Sequence, residues 1–152
     1  MTVTEYISEE VQRQGHDITQ LEGLERVGWM TDAWCYALRM QNDMPKPSYT
    51  DVILLAQSIE PRKNAHGLRK CPVRVGIRIC PDWQEVPRLL ERLFMLQDNM
   101  TPIEFYKEFE LIHPFVDGNG RTGKILLNWM NKTLLNPIFP PADLFGAPIR
   151  NP

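Results

Sequence analysis

The chain has 152 residues, 24% of them charged, with a formal net charge of -2. That length suits one domain, here 1–152, with a sizeable core and leaves little room for a second catalytic domain; the near-neutral charge excludes a molecule-wide field that would recruit nucleic acid. Cys35, Cys71 and Cys80 form no CxxC pair, which fits neither a disulfide scaffold nor a zinc knuckle and points to reduced thiols in a cytoplasmic protein.

Residues 1–17 contain neither a basic leader nor an apolar signal core, so export as an effector would need a signal-independent route. No stretch approaches the roughly 20 apolar residues that span a bilayer, and no membrane partner is expected. From Ile18 to Met40, Leu21, Leu24, Val27, Met30, Trp34 and Leu38 recur at helical spacing, with a bend expected at Gly23 or Gly28. Pro45 and Pro47 end that segment, and Ser48 offers a cap for a helix over Tyr49 to Ile59. Val73, Val75, Ile77 and Ile79 then alternate with Arg74, Gly76, Arg78 and Cys80, the strand period. A lone strand leaves its backbone unpaired, so a hairpin turning near Gly76, or pairing with another chain, is expected. Such a hairpin would let Cys71 and Cys80 approach one another.

A helix should follow from Val86 to about Gln97. Thr101-Pro102-Ile103-Glu104 marks the start of the next with a hydroxyl cap, a proline in the first turn and a glutamate at the third position. Pro114 would stop that helix near Ile112 or His113, at a terminus whose dipole favours a protonated ring. A last helix, apolar on more than one face, should begin inside or just after Asp117 to Gly120 and run to about Leu134. One hairpin among helices makes a mainly α domain.

The chemistry concentrates between His113 and Arg121. Gly118 and Gly120 flank Asn119 before a helix start, so successive N–H groups can face an anion, assisted by the helix terminus. Arg121 can clamp phosphate oxygens, and Lys124 shares its face. Asp117 beside a polyphosphate is a natural Mg²⁺ ligand, or equally a helix cap. His113 can take the proton of an incoming hydroxyl, or be a structural histidine.

Residues 113–124, HPFVDGNGRTGK, resemble the signature loop of the Fic (Fic/Doc) family: histidine, any residue, phenylalanine, any residue, an acid, Gly-Asn-Gly-Arg, two residues, arginine. Only the last position departs, Lys124 standing for arginine. The resemblance implies a compact helical domain with a β-hairpin flap beside the loop. Its implied activity is transfer of AMP from ATP, with Mg²⁺, to a serine, threonine or tyrosine of a target protein. It casts His113 as general base and Asp117 as the Mg²⁺ ligand, with Gly118, Asn119, Gly120, Arg121 and Lys124 holding the phosphates.

Gly67-Leu68-Arg69 and the following strand resemble the flap over 69–80, which would make Arg69, Val73, Arg74, Val75 and Ile77 target-binding residues. Leu21-Glu22-Gly23 resembles the end of an inhibitory helix, which would pair Glu22 with Lys124. The family's regulation brings in an antitoxin partner or a homo-oligomer. Transfer of another phosphate-containing group, AMP removal, a catalytically silent member and a nucleic-acid-binding module are the alternatives. The last draws on the basic run Arg62, Lys63, Arg69, Lys70, Arg74 and Arg78, which contains no aromatic residue for base stacking.

Overall fold

The computed structural model describes residues 1–146; the expected domain over 1–152 also takes in 147–152, which lie outside the described residues. Among the described residues the elements are α1 (Val3–Arg13), α2 (Leu21–Met40), α3 (Tyr49–Ile59), β1 (Arg74–Val75), β2 (Arg78–Ile79), α4 (Val86–Met95), α5 (Pro102–Ile112) and α6 (Asn119–Met130), with a 3-10 turn at Gln97–Asn99. None of these helices is long and apolar enough to cross a membrane. The protein is mainly α with one small antiparallel hairpin beside the helical core.

Helix α6 is the centre of the packing. Ten of its twelve residues are buried, and α5, α3 and α2 lie against it. Its end is earlier than expected, at Met130, because Lys132 takes φ +60° while the Asn128 carboxamide oxygen receives the Thr133 hydroxyl and the Ile138 N–H. The caps read from sequence operate on α3 and α5: Ser48 with Asp51, and Thr101 with Glu104, each form a reciprocal box.

Two differences come from packing. Helix α2 runs without interruption, and Leu21 and Leu24, assigned to its buried stripe, are 73% and 54% exposed. Gly23 is needed because a Cβ there would overlap the Asp17 carbonyl of the incoming loop, whereas Gly28 faces open space and costs only propensity. Helix α1 has no counterpart among the expected elements. Its signals are Thr2 accepting from the Glu5 N–H and the stripe Tyr6, Ile7, Glu10 and Val11, all buried. A glutamate in that stripe hides it from a purely apolar pattern.

The hairpin pairs Arg74 with Ile79 and Val75 with Arg78, and Gly76 takes φ +59° in its turn, where glycine carries no steric penalty. Its apolar residues do not face a core. Val75, Ile77 and Ile79 are all exposed, Ile77 at 94%.

Candidate active site

The loop between α5 and α6 is closed by one side chain. Asn119 is buried, its Oδ1 accepting from the Phe115 N–H and its Nδ2 donating to the Phe115 carbonyl, both at 2.9 Å. Asn119 thus leaves only its backbone N–H for an anion. Phe115 is fully buried and anchors the loop to the core. At φ +74°, Gly118 starts α6, and a Cβ there would sit 2.7 Å from Ile59 Cγ2, so the end of α3 forms the floor of the bend.

The residues after α3 also hold the charged side chains. Glu60 is 2% exposed and accepts from Arg121 Nη2 at 2.9 Å and, with both oxygens, from Arg26. Lys63 Nζ meets Asp117 Oδ2 at 2.7 Å, and the Asn64 amide donates to the Asp117 carbonyl. The Asp117 carboxyl lies below its usual range: burial opposes this, but the Lys63 hydrogen bond, the Gly118 N–H and the charges of Lys63 and Arg121 outweigh it. Glu60 was not among the expected residues, because its link to Arg121 spans 61 positions; a lone Glu-Pro at a helix end is no signal.

Helix α1 covers the other side. Glu10, fully buried, receives Lys124 Nζ at 2.8 Å and the Gln14 amide at 2.8 Å. A Cβ at Gly120 would lie 2.7 Å from Gln14 Nε2, so that amide rests on the glycine. Glu22 is elsewhere, its side chain 52% exposed and paired with His16 and Arg26. The carboxylate that meets Lys124 is therefore Glu10, delivered by a helix absent from the sequence expectations.

His113 caps α5 at φ +51°, and its ring is pushed down to a pKa of about 4, first by burial and then by the charges of Arg78 and Arg69. The expected dipole effect is overridden first by burial and then by the two guanidinium charges, while the Glu110 backbone and Asp117 still favour the protonated ring. Glu110, one turn earlier, is pushed up to about 7 by burial, with Glu10 adding to the rise and Lys124 and Arg78 opposing it.

Seven buried side-chain polar atoms lack a partner among the described residues: Glu10 Oε1, Asn64 Oδ1, Glu110 Oε1, His113 Nδ1, Arg121 Nε and Nη1, and Thr122 Oγ1. All lie on the loop, on the first turn of α6 or on residues packed around them. Buried polar groups are ordinarily paired, and the two free donors of Arg121 at a helix N-terminus fit an anion. Asp117 fits a divalent cation only with Lys63 moved aside. Among the described residues there is no group of three or more histidine, cysteine or acidic side chains placed to hold a metal, so phosphate oxygens and water would complete such a shell.

The flap residues separate into two sets. Arg74, Val75 and Ile77 are exposed and Val73 is half-buried, whereas Arg69 is 2% exposed and its guanidinium is wholly engaged by main-chain carbonyls. Arg69 therefore does not face a target. The basic run is dispersed in the same way: Arg62 pairs with Glu25, Lys63 with Asp117, and Arg78 with two carbonyls. With Arg69, four of the six basic side chains thus have partners within the protein, while Lys70 and Arg74 are exposed.

The Fic/DOC family profile matches residues 48–131, more than half of the chain. The chain belongs to the Fic/DOC family. Within it, a probable protein adenylyltransferase of Aquifex aeolicus is 46% identical over 50 residues, which cover 32% of this chain and 16% of that protein. A Fic family protein from Desulfovibrio desulfuricans superposes with a TM-score of 0.65 at 16% identity, over 86% of this chain and 47% of that one. Fic-1 from C. elegans gives 0.67 at 18% identity, over 88% and 49%. These likenesses carry the Fic fold, and the chain spans about half the length of these solved relatives.

Proposed function

We propose that this Fic protein transfers AMP from ATP to a serine, threonine or tyrosine hydroxyl of a target protein. The observation that carries the reading is the loop itself, which holds a neutral imidazole at one end and unpaired guanidinium donors beside an amide-lined bend at the other. His113 takes the hydroxyl proton as the oxygen bonds to the α-phosphorus; the bond from that phosphorus to the bridging oxygen breaks and pyrophosphate leaves. The backbone N–H groups of Gly118, Asn119 and Gly120, together with Arg121, hold the phosphates. Asp117 would hold Mg²⁺, whose chemistry is to neutralise phosphate charge.

The hairpin edge and its exposed Val75 and Ile77 offer main-chain pairing to an extended target segment, flanked by Val73 and Arg74. With Mg²⁺ and α-labelled ATP, the protein is expected to label itself or a target in extract, and with γ-labelled ATP it is not. Label from the γ position alone would replace this reading by phosphorylation.

The inhibitory role that the resemblance placed on Glu22 passes to α1. Glu10 neutralises the Lys124 ammonium that a γ-phosphate would otherwise meet, and Gln14 rests on Gly120. A Glu10→Ala protein is therefore expected to take up ATP about tenfold more tightly, as roughly 1.4 kcal/mol of competing charge is lost. Calorimetric titration with ATP reads this, and unchanged affinity in a folded variant rejects α1 as a cover.

A further inference from the structure

Helix α5 ends in a way that its own backbone cannot complete. The terminal carbonyls of a helix lack intrahelical donors; Pro114 has no N–H, and the Phe115 N–H is taken by Asn119. The four carbonyls from Glu110 to His113 instead receive two guanidinium groups from the flap segment. Arg78 Nη2 and Nη1 donate to Glu110 and Leu111 at 3.3 and 3.1 Å. Arg69 Nη2 and Nε donate to Ile112 and His113 at 3.3 and 2.8 Å.

Arg69 reaches further. Its Nη1 donates to the Cys71 carbonyl at 3.1 Å and its Nη2 to the Pro81 carbonyl at 2.6 Å, so one guanidinium joins both feet of the hairpin to the main chain of His113. The Arg69 N–H adds a bond to the Pro114 carbonyl at 3.0 Å.

We propose that Arg69 and Arg78 are positioning residues of the transfer reaction, locking the flap that presents the target hydroxyl to the carbonyl end of α5 and so fixing His113 against it. The inference rests on the reading of His113 as the base and of the hairpin as the target-binding edge. The αL conformation of His113 is uncommon for a residue with a Cβ, and the Arg69 bond to its carbonyl holds it there. The same two cations act on the ring through charge, with Asp117 from the loop and the nearby Glu110 carbonyl pulling the other way. Of the remaining charges, Lys63 is engaged by Asp117 and Lys124 by Glu10.

Arg78 is the practical site for the test, because it is only half-buried and Arg78→Gln keeps a hydrogen-bond donor while removing the charge. In the full-length folded protein, Arg78→Gln is expected to lower kcat about tenfold and leave the KM for ATP within about twofold, since positioning acts on the transferred group and not on nucleotide binding. The acid limb of its pH–rate profile should move up by about one pH unit, as loss of a neighbouring cation favours the protonated ring. Arg78→Lys should restore the limb through its charge and, lacking the planar fork, leave part of the kcat loss.

NMR titration of the His113 imidazole, assigned by its absence from a His113→Asn protein, reads the charge effect without any activity. An unmoved His113 titration in folded Arg78→Gln overturns the inference even if AMP transfer is confirmed. A moved titration in a protein that transfers no AMP retains the clamp on His113 and rejects the reading of the reaction. A uniform fall in kcat with an unmoved acid limb leaves the arginine a purely structural cap and also overturns it.

Discussion

A His113→Asn protein is expected to fold, to bind ATP as the wild type does, and to transfer AMP about 10²–10⁴-fold more slowly, the usual contribution of a positioned general base. Asparagine is the better probe than alanine because His113 sits at φ +51°, a region that asparagine tolerates and residues without a short polar side chain resist. It can keep the αL cap of α5 and still cannot accept the proton. Single-turnover transfer with α-labelled ATP measures the loss; a rate equal to wild type in a folded variant would remove His113 from the mechanism.

The pH dependence tests the same residue from the other side. With its pKa pushed down to about 4, the ring is in the base form through the neutral range, and the rate should fall only as pH drops through that value. An acid limb near the ordinary histidine value of 6.5 would mean that burial and the two arginines fail to act on the ring. Stability must be followed alongside. The unfolded chain binds a proton at His113 from about pH 6.5 downward and the folded one only near 4, so this residue withdraws stability as pH falls across that window. Glu110 opposes it, because the folded state protonates near 7 and the unfolded state near 4.5.

The second large effect is expected at a residue that makes no contribution to the chemistry through its side chain. Asn119→Ala removes both bonds to Phe115 and leaves a buried N–H and a buried carbonyl without partners, at about 1–3 kcal/mol each. The loss is local to the loop that separates His113 from Arg121, so nucleotide affinity and stability should fall together. Thermal unfolding, ATP titration and hydrogen exchange at the Phe115 amide report it. An unchanged melting temperature with a still-protected amide would show that the loop closes without Asn119.

Signals carried within a few residues were legible in advance. Ser48 as a cap and Thr101 with Glu104 announce two helix starts, Pro114 places His113 at a helix end, Gly76 turns the hairpin, and the glycines flanking Asn119 open α6. Each involves groups one turn or less apart, where residue type and spacing suffice. Helix α1 escaped because Glu10 interrupts its apolar stripe, and the glutamate is there to meet Lys124, 114 positions away.

Partner choice across the core was not legible. The local pattern offers only Glu22 as the carboxylate for Lys124; packing brings Glu10 to Lys124 and leaves Glu22 half-exposed beside Arg26. Arg69 shows the same limit, since its place in the flap reads as a surface cation while the fold buries it under four carbonyls. Short-range pattern along the chain thus marks the starts of α3 and α5 and the glycine bend before α6. Which charges are left unpaired around the loop depends on the elements that close over it, because a buried ion needs a counter-ion, as Lys124 has in Glu10, or a full set of hydrogen bonds, as Arg69 has, and those partners come from distant parts of the chain.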